Sequence, residues 1–222
     1  MRVSAVVVSH GHARELAASL GAIAAQADEV VVIANRPGSL PAALPPGVRV
    51  VENERPLCFA ANVNRGIAAT TGRYVLTANP DAVPESGCVE ALAALLDAHP
   101  QAGVAGPSLL WPDGTPQPSR RRFPTVRGTL ARRTPLRLVR DPYRAQRAHY
   151  GLAEEPTEPI QSDWLLGAFL LQRRSMLDVL CGWDEGYRHY VEDIDLQYRA
   201  MRAGWERWYV PGAVARHDYA AV

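Results

Sequence analysis

Near the start of this chain, short apolar runs alternate with stretches of helical spacing. That alternation limits the folds available more than any other feature. Val3–Val8, Val30–Ile33, Val48–Val51 and Tyr74–Ala78 are each four to six residues long and rich in β-branched side chains. Val3–Val8 and Val30–Ile33 read as buried strands, and Val48–Val51 and Tyr74–Ala78 as a third and a fourth strand. Between them, Ala13–Ala25 sets Leu16, Leu20 and Ile23 on one helical face. Ala60–Ala69 reads as a second helix, stopped near Gly72. Strands joined through helices need crossover connections, so the expected sheet is mostly parallel and right-handed in its crossovers.

The rest of the chain is less regular. Pro37, Gly38, Pro41, Pro45, Pro46 and Gly47 mark a loop. Ser86 is placed to cap a helix running to about Ala98, with Pro100 beyond its end. Val104–Leu110 reads as one or two short strands. From Trp111 to Pro159 the pattern dissolves into Pro, Arg and Gly, which suggests a long loop with a short helix near Thr129–Val139. Regularity returns with the apolar stretch Trp164–Leu171 and a helical turn or two at Ser175–Leu180. A helix over Glu192–Ala203 and short strands at Arg207–Val210 and Val214–Arg216 follow. No internal repeat is visible.

Composition narrows the class. With 222 residues, 47% of them hydrophobic and 21% charged, the chain can bury a core and is not disordered. One domain is expected, in three parts: a half at 1–110, an Arg/Pro-rich loop at 111–160, and a second half at 161–222. The net charge of +1 excludes a polycation. All 24 basic residues are Arg, which suggests a GC-rich bacterial coding bias and says nothing of mechanism. The charge is uneven: Arg120–Arg147 holds ten Arg against Asp141 alone, net +9, while the remaining 14 Arg and 22 acids come to −8. Cys58, Cys88 and Cys181 form no CxxC pair, which argues against a disulfide framework or a zinc site and for a reducing compartment. The first apolar run is too short for a signal peptide, and no stretch approaches the roughly 18–20 apolar residues of a transmembrane segment. A cytoplasmic, soluble protein is expected. The chain ends five residues after His217, so no C-terminal membrane or acceptor domain is expected.

Three places carry chemistry. Asn79-Pro80-Asp81 follows the fourth strand, where ligands bind in open α/β sheets. Asp81 there suits a hard divalent cation that bridges phosphates, although the tripeptide is also ordinary turn chemistry. Glu192-Asp193-Ile194-Asp195 opens a helix. Acids favour helix N-termini, and Asp195 can pair with Arg199, but three in four residues exceed what a cap needs, so a general base is the other reading. His217, after the last short strand, is either structural or a metal ligand.

These pieces occur together, in order, in one family. The chain resembles the inverting nucleotide-sugar glycosyltransferases of family 2, with the GT-A fold. The likeness lies in Ala5-Val6-Val7-Val8-Ser9, in Val30–Asn35, and in the Cys58-Phe59-Ala60-Ala61-Asn62-Val63-Asn64-Arg65-Gly66-Ile67 helix. It continues in Tyr74–Asp81, a variant of the Asp-x-Asp strand, then Gly167–Arg174, Gly182-Trp183-Asp184-Glu185 and Glu192–Leu196. It covers most of 3–110 and 160–218. What it implies for the fold is a Rossmann-like, mostly parallel sheet flanked by helices, with a small mixed sheet and a C-terminal acceptor-side helix.

Residue by residue, the resemblance implies Asp193 as general base and Asp81 as the metal-binding acid, with Asn79 where the first acid of Asp-x-Asp would stand. It implies His217 as a further metal ligand. Gly167, Ala168 and Glu192 fall against donor and acceptor, and Ser9, His10, Asn35 and Asn64 on the donor side. The implied cofactor is Mn2+ or Mg2+. The implied partners are a nucleoside diphosphate sugar and a hydroxyl-bearing acceptor, which is a saccharide, a lipid-linked saccharide or a small molecule. A homodimer is left open. Two departures bear on the nucleoside. The first loop reads Ser9-His10-Gly11-His12 where many members have Thr-Tyr-Asn, and Ala34 replaces the acid that usually ends the second strand. Arg120–Thr125 resembles a stretch of rhamnosyltransferase-like members. It reads as a loop closing on the donor diphosphate, a dock for an anionic acceptor or membrane surface, or a solvated loop.

The alternatives are a non-catalytic sugar-nucleotide-binding protein and a nucleotidyltransferase on a similar sheet. No Gly-rich phosphate loop with Lys follows the first strand, which counts against the latter. A nucleic-acid module would need aromatic residues interleaved with the Arg, and only Phe123 and Tyr143 qualify. No GxGxxG follows a strand, which excludes a nicotinamide-dependent oxidoreductase of the usual kind.

Overall fold

Each of the four β-branched runs is a strand: β1 (Val3–Ser9), β2 (Glu29–Ala34), β3 (Val48–Glu52) and β4 (Tyr74–Ala78). They pair in parallel in the order β3-β2-β1-β4, with α1 (Ala13–Ala24) and α2 (Phe59–Ala68) as crossovers. The computed structural model describes residues 3–37, 40–124, 156–188 and 190–218. The expected helix near Thr129–Val139 lies outside them.

The sheet continues through β5 (Ala82–Pro84), β6 (Ala102–Leu110), β11 (Phe169–Arg173) and β12 (Glu206–His217), giving the order β3-β2-β1-β4-β11-β6-β12-β5. Six of these eight strands run in one direction. β11 lies antiparallel between β4 and β6, and β5 antiparallel to β12. Short β7 (Pro116–Gln117) and β9 (Ile160–Gln161) extend the sheet. The separate small sheet, expected to be mixed, is antiparallel among the described residues: β8 (Arg120–Arg121) pairs with β10 (Trp164–Leu165).

Side-chain alternation along the strands divides the core. Val3, Ala5 and Val7 of β1 pack with Leu16, Leu20 and Ile23 of α1 and with Leu92 and Leu96 of α3 (Cys88–Ala98). Val6 and Val8 face the opposite way, toward Ala60 and Val63 of α2. That side also holds Met176 and Leu177 of α4 (Arg174–Leu180) and Leu196 and Ala200 of α5 (Glu192–Arg202). β1, β2 and β4 are covered on both faces, which explains their nearly unbroken apolar runs, whereas β3 at the sheet edge is only partly buried and carries the exposed Arg49.

The structure departs from the sequence reading at three boundaries. Ser86 does not cap α3. Gly87 precedes that helix at φ 79°, and the Val89 N–H donates to Gln26 Oε1 at 3.1 Å, so a side chain from beyond the end of α1 serves the orphan donor. The run after Pro100 is one nine-residue strand, β6. The last two short strands are one strand, β12, with an irregularity between Val210 and Val214 where Pro211 has no N–H to give the ladder.

Gly66 marks the closest approach of α2 to the sheet, since a Cβ there would lie 2.2 Å from Val6 Cγ1. Gly66→Ala is expected to destabilise the fold by about 1–3 kcal/mol, the usual cost of overpacking. Urea unfolding with an unchanged midpoint would show that α2 can lift without penalty.

Candidate functional site

Two cavities open beyond the carboxyl ends of β1 and β4, where an α/β sheet binds ligands. The first, about 580 Å³, is bounded by His10, His12, Asn35, Asp81 and Arg188 among others. The second, about 490 Å³, is bounded by Gly167, Ala168, Glu192, Asp193, Arg121 and Trp164 among others. Phe59 and Asn79 line both, so Asn79 stands in the partition.

Asn79-Pro80-Asp81 is a turn, closed by the Ala82 N–H donating to Asn79 O at 3.1 Å. Ser19 Oγ holds the Pro80 carbonyl at 2.6 Å, and the Asn79 N–H donates to Ala168 O at 2.8 Å. Turn chemistry and site chemistry therefore coincide, because the fixed turn directs Asp81 toward His217. His217 is 2% exposed at the end of β12. Its Nδ1 lies 2.9 Å from Gln117 Oε1, an acceptor that suits a proton on Nδ1. Its Nε2 lies 3.5 Å from Asp81 Oδ1 and 3.4 Å from Asn79 Nδ2, and in the neutral ring with Nδ1 protonated it offers a lone pair there. An imidazole lone pair beside a carboxylate oxygen, with the far ring nitrogen held, is the donor arrangement of a divalent cation site. Among the described residues no group of three or more His, Cys, Asp or Glu could hold a metal ion. Asp81 and His217 fit a cation whose other ligands come from a bound phosphate.

Asp193 is the second residue of α5. Its Oδ2 accepts the Gly167 N–H at 2.9 Å and its Oδ1 the Ile194 N–H at 2.9 Å. A Cβ on Gly167 would lie 2.9 Å from Asp193 Cβ and 3.0 Å from Oδ2, so only glycine admits the carboxylate there. Burial pushes the Asp193 carboxyl above the usual carboxylate range. The two backbone N–H groups and the Arg121 guanidinium pull the other way. With burial the dominant cause, the carboxylate is more basic than a solvated one.

α5 starts under strain. Tyr190 and Val191 both have left-handed backbone, at φ 64° and 75°, where a β-branched residue is a genuine outlier. Strain of this kind concentrates at functional sites. Glu192 is buried and lines the second cavity beside Asp193. Asp195 takes the structural option, pairing with Arg199 at 2.7 Å, while Arg199 also donates to the Leu180 and Gly182 carbonyls.

Asn35 lines the first cavity, but much of its amide is committed. Nδ2 donates to Leu57 O and Oδ1 accepts the Leu57 N–H and Asn53 Nδ2, which pins the loop leading into α2. Its Nδ2 also lies 2.9 Å from His10 Nδ1. Burial, then Arg36 and His12, lower the His10 pKa, so this ring is neutral near pH 7. Ser9 is fully buried at the end of β1 and lines neither cavity. Asn64 is not brought to either cavity. It latches α2 to the turn before α5 by donating to Trp183 O and Glu185 Oε1 and accepting the Trp183 N–H, each within 2.9 Å.

Several lining residues were not singled out from sequence. Arg121 sits 5.1 Å over the Trp164 ring and beside Asp193. Gln117 orients His217, and Arg188 edges the first cavity. The Arg cluster was the available signal for Arg121. Nothing in the spacing marks Gln117, because its partner is 100 residues away.

A GT-A architecture is the class that this sheet defines, with its paired cavities beyond the strand ends. The chain belongs to glycosyl transferase family 2, whose profile matches residues 4–153. It is 35% identical over 192 residues to the N-acetylglucosaminyl-diphospho-decaprenol L-rhamnosyltransferase of Mycobacterium tuberculosis, an alignment covering 79% of this chain and 60% of that protein. The chain thus spans about three-fifths of that relative's length. Among solved structures, GalNAc-T7 with UDP, GalNAc and Mn2+ matches 99% of this chain and 44% of its own at TM-score 0.69 and 15% identity. The mannosyltransferase PcManGT from Pyrobaculum calidifontis, in complex with GDP-Man and Mn2+, matches 99% of this chain and 57% of its own at TM-score 0.65 and 18% identity.

Proposed function

We propose that this chain transfers a rhamnosyl group from a nucleoside diphosphate donor to a hydroxyl of a lipid-linked saccharide, with inversion at the anomeric carbon. The observation that carries this reading is the Asp193 carboxylate. It is held against the Gly167 N–H, raised in pKa by burial, and lines the same cavity as His217, with Asn79 and Phe59 shared between that cavity and the one lined by Asp81. A base in one cavity and a leaving-group site at its border with the other suit a displacement in which the acceptor enters opposite to the departing diphosphate. The rhamnosyl donor and lipid-linked acceptor are suggested by the name of the 35%-identical relative.

In this reading the nucleoside lies in the first cavity against His10, His12 and Asn35, with the diphosphate toward Asp81. The acceptor lies in the second cavity between Trp164 and the start of α5. Asp193 accepts the proton of the acceptor hydroxyl as it attacks, a contribution of roughly 10²–10⁴-fold. The Gly167 N–H keeps Oδ2 in place, and Arg121 limits how far burial raises its pKa. Asp81 and His217 would hold Mn2+ or Mg2+, which supplies neutralisation of charge on the leaving diphosphate. Among the described residues no helix is long and apolar enough to cross a membrane.

The test is incubation with nucleoside diphosphate rhamnose, Mn2+ and a polyprenyl diphosphate N-acetylglucosamine, with products read by mass spectrometry and the anomeric configuration by NMR. The expected product gains one rhamnosyl unit with inverted configuration. Donor that binds and is never transferred to any acceptor would support a sugar-nucleotide-binding protein instead. A cognate donor at about 100 times its Kd should also add roughly 2.7 kcal/mol of stability. A screen of nucleoside diphosphate sugars by thermal shift then identifies the base, and a flat screen would remove the donor assignment.

A further inference from the structure

Gln197 lies one turn beyond Asp193 on α5 and is fully buried. Its amide is used at both ends. Oε1 accepts the Leu165 N–H at 2.8 Å, and Nε2 donates to Leu165 O at 2.7 Å and to Asp193 O at 3.0 Å. A side chain that pairs with both the N–H and the C=O of one residue substitutes for a neighbouring strand. It therefore fixes the position of β10 relative to α5. Two residues after Leu165 comes Gly167, whose N–H holds the Asp193 carboxylate and whose missing Cβ makes room for it. Leu166 between them is tied as well, donating its N–H to Ser119 O at 2.8 Å. The separation between the Gly167 N–H and the Asp193 carboxylate is thus set by a clamp that contacts both elements and lines neither cavity.

We propose that Gln197 is a positioning residue for the Asp193 base, holding the Gly167 peptide at hydrogen-bond distance from its carboxylate. This rests on the functional reading above only in calling Asp193 the base; the clamp itself is a matter of geometry. All three bonds here converge on the segment that carries the carboxylate and its donor.

The experiment compares the wild-type protein with Gln197→Met, which keeps the volume and removes all three bonds. Gln172→Met is the control. Gln172 is also fully buried, but its amide pairs with Thr77 Oγ1 and Trp183 Nε1 and makes no bond to Asp193 or to Leu165. The first readout is the titration of the Asp193 carboxyl by ¹³C NMR, assigned with Asp193→Asn, which does not depend on turnover. The charged groups facing Asp193 are Arg121 from β8, Glu192 on its own helix and His217 from β12, and neither methionine variant alters them. The Gly167 N–H stabilises the ionised form, so loosening it raises the Asp193 titration midpoint. Gln197→Met is expected to move that midpoint upward and Gln172→Met to leave it in place. Gln197→Asn, one methylene shorter and still polar, is expected to move it the same way by less, and serves if the methionine variant does not fold. An unmoved midpoint in a folded Gln197 variant, or an equal shift in Gln172→Met, overturns the positioning role. The second readout is transfer, where Gln197→Met is expected to lower kcat roughly 10–100-fold with donor KM within about twofold, the size seen when outer-shell partners are lost. A shifted midpoint with unchanged kcat keeps the clamp and removes Asp193 as the base.

Discussion

Asp193→Asn is expected to fold, bind donor within a few-fold of the wild-type protein, and lose at least 10²–10⁴-fold in turnover. Asparagine keeps one acceptor for the two N–H groups that Asp193 satisfies, from Gly167 and Ile194, and turns an NH2 toward the other. The cost to the fold is about 1–3 kcal/mol. Donor affinity is expected to survive because the carboxylate lines the second cavity, whereas the nucleoside is proposed to lie in the first. The wild-type pH profile carries the matching signature. A base must be ionised, so activity falls as the pH drops through its pKa. Because burial raises that pKa, the acid limb of kcat/KM is expected above the ordinary carboxylate range. Near-wild-type turnover in the purified variant would remove Asp193 from the chemistry and direct attention to Glu192.

The second large effect concerns the cation. Asp81 supplies one carboxylate and His217 one imidazole, and the described residues add no further His, Cys, Asp or Glu to the group. Mn2+ or Mg2+ is therefore expected to bind weakly to the free protein and tightly once a nucleoside diphosphate contributes oxygen ligands. Asp81→Ala should abolish that synergy, a larger loss than the roughly 10–100-fold that follows removal of an outer-shell partner. His217→Ala should weaken Mn2+ more than Mg2+, since imidazole suits the softer ion. Calorimetry with and without the diphosphate decides the matter. Equal metal affinity in both conditions would reduce Asn79-Pro80-Asp81 to the turn that its Ala82–Asn79 hydrogen bond closes.

Strand-like runs and short motifs were legible in the sequence because their signals are local. The four runs became β1 to β4, three of them buried on both sheet faces and β3 a part-buried edge, and Asp81 and Asp193 line cavities beyond the strand ends. What was not legible depends on long-range partners. Gln26 serving α3 in place of Ser86, Gln117 orienting His217, and Gln197 spanning to Leu165 are side chains whose partners lie 63, 100 and 32 residues away. Asn64 has the same long reach: the motif around it reads as donor-binding, and in the structure its amide holds the turn at Trp183 through positions more than 100 residues distant.

The pairing of β8 with β10 joins Arg121 to Trp164, both of which line the second cavity. β9, which lies between those strands in sequence, pairs with β12 of the large sheet, and the Phe123 N–H donates to Asp163 Oδ2 at 2.9 Å. Arg121 and Trp164 thus inherit their placement from β12, the strand that ends at His217. One strand therefore ties the wall of the second cavity to the Asp81–His217 pair, and a change that loosens β9 from β12 would reach both.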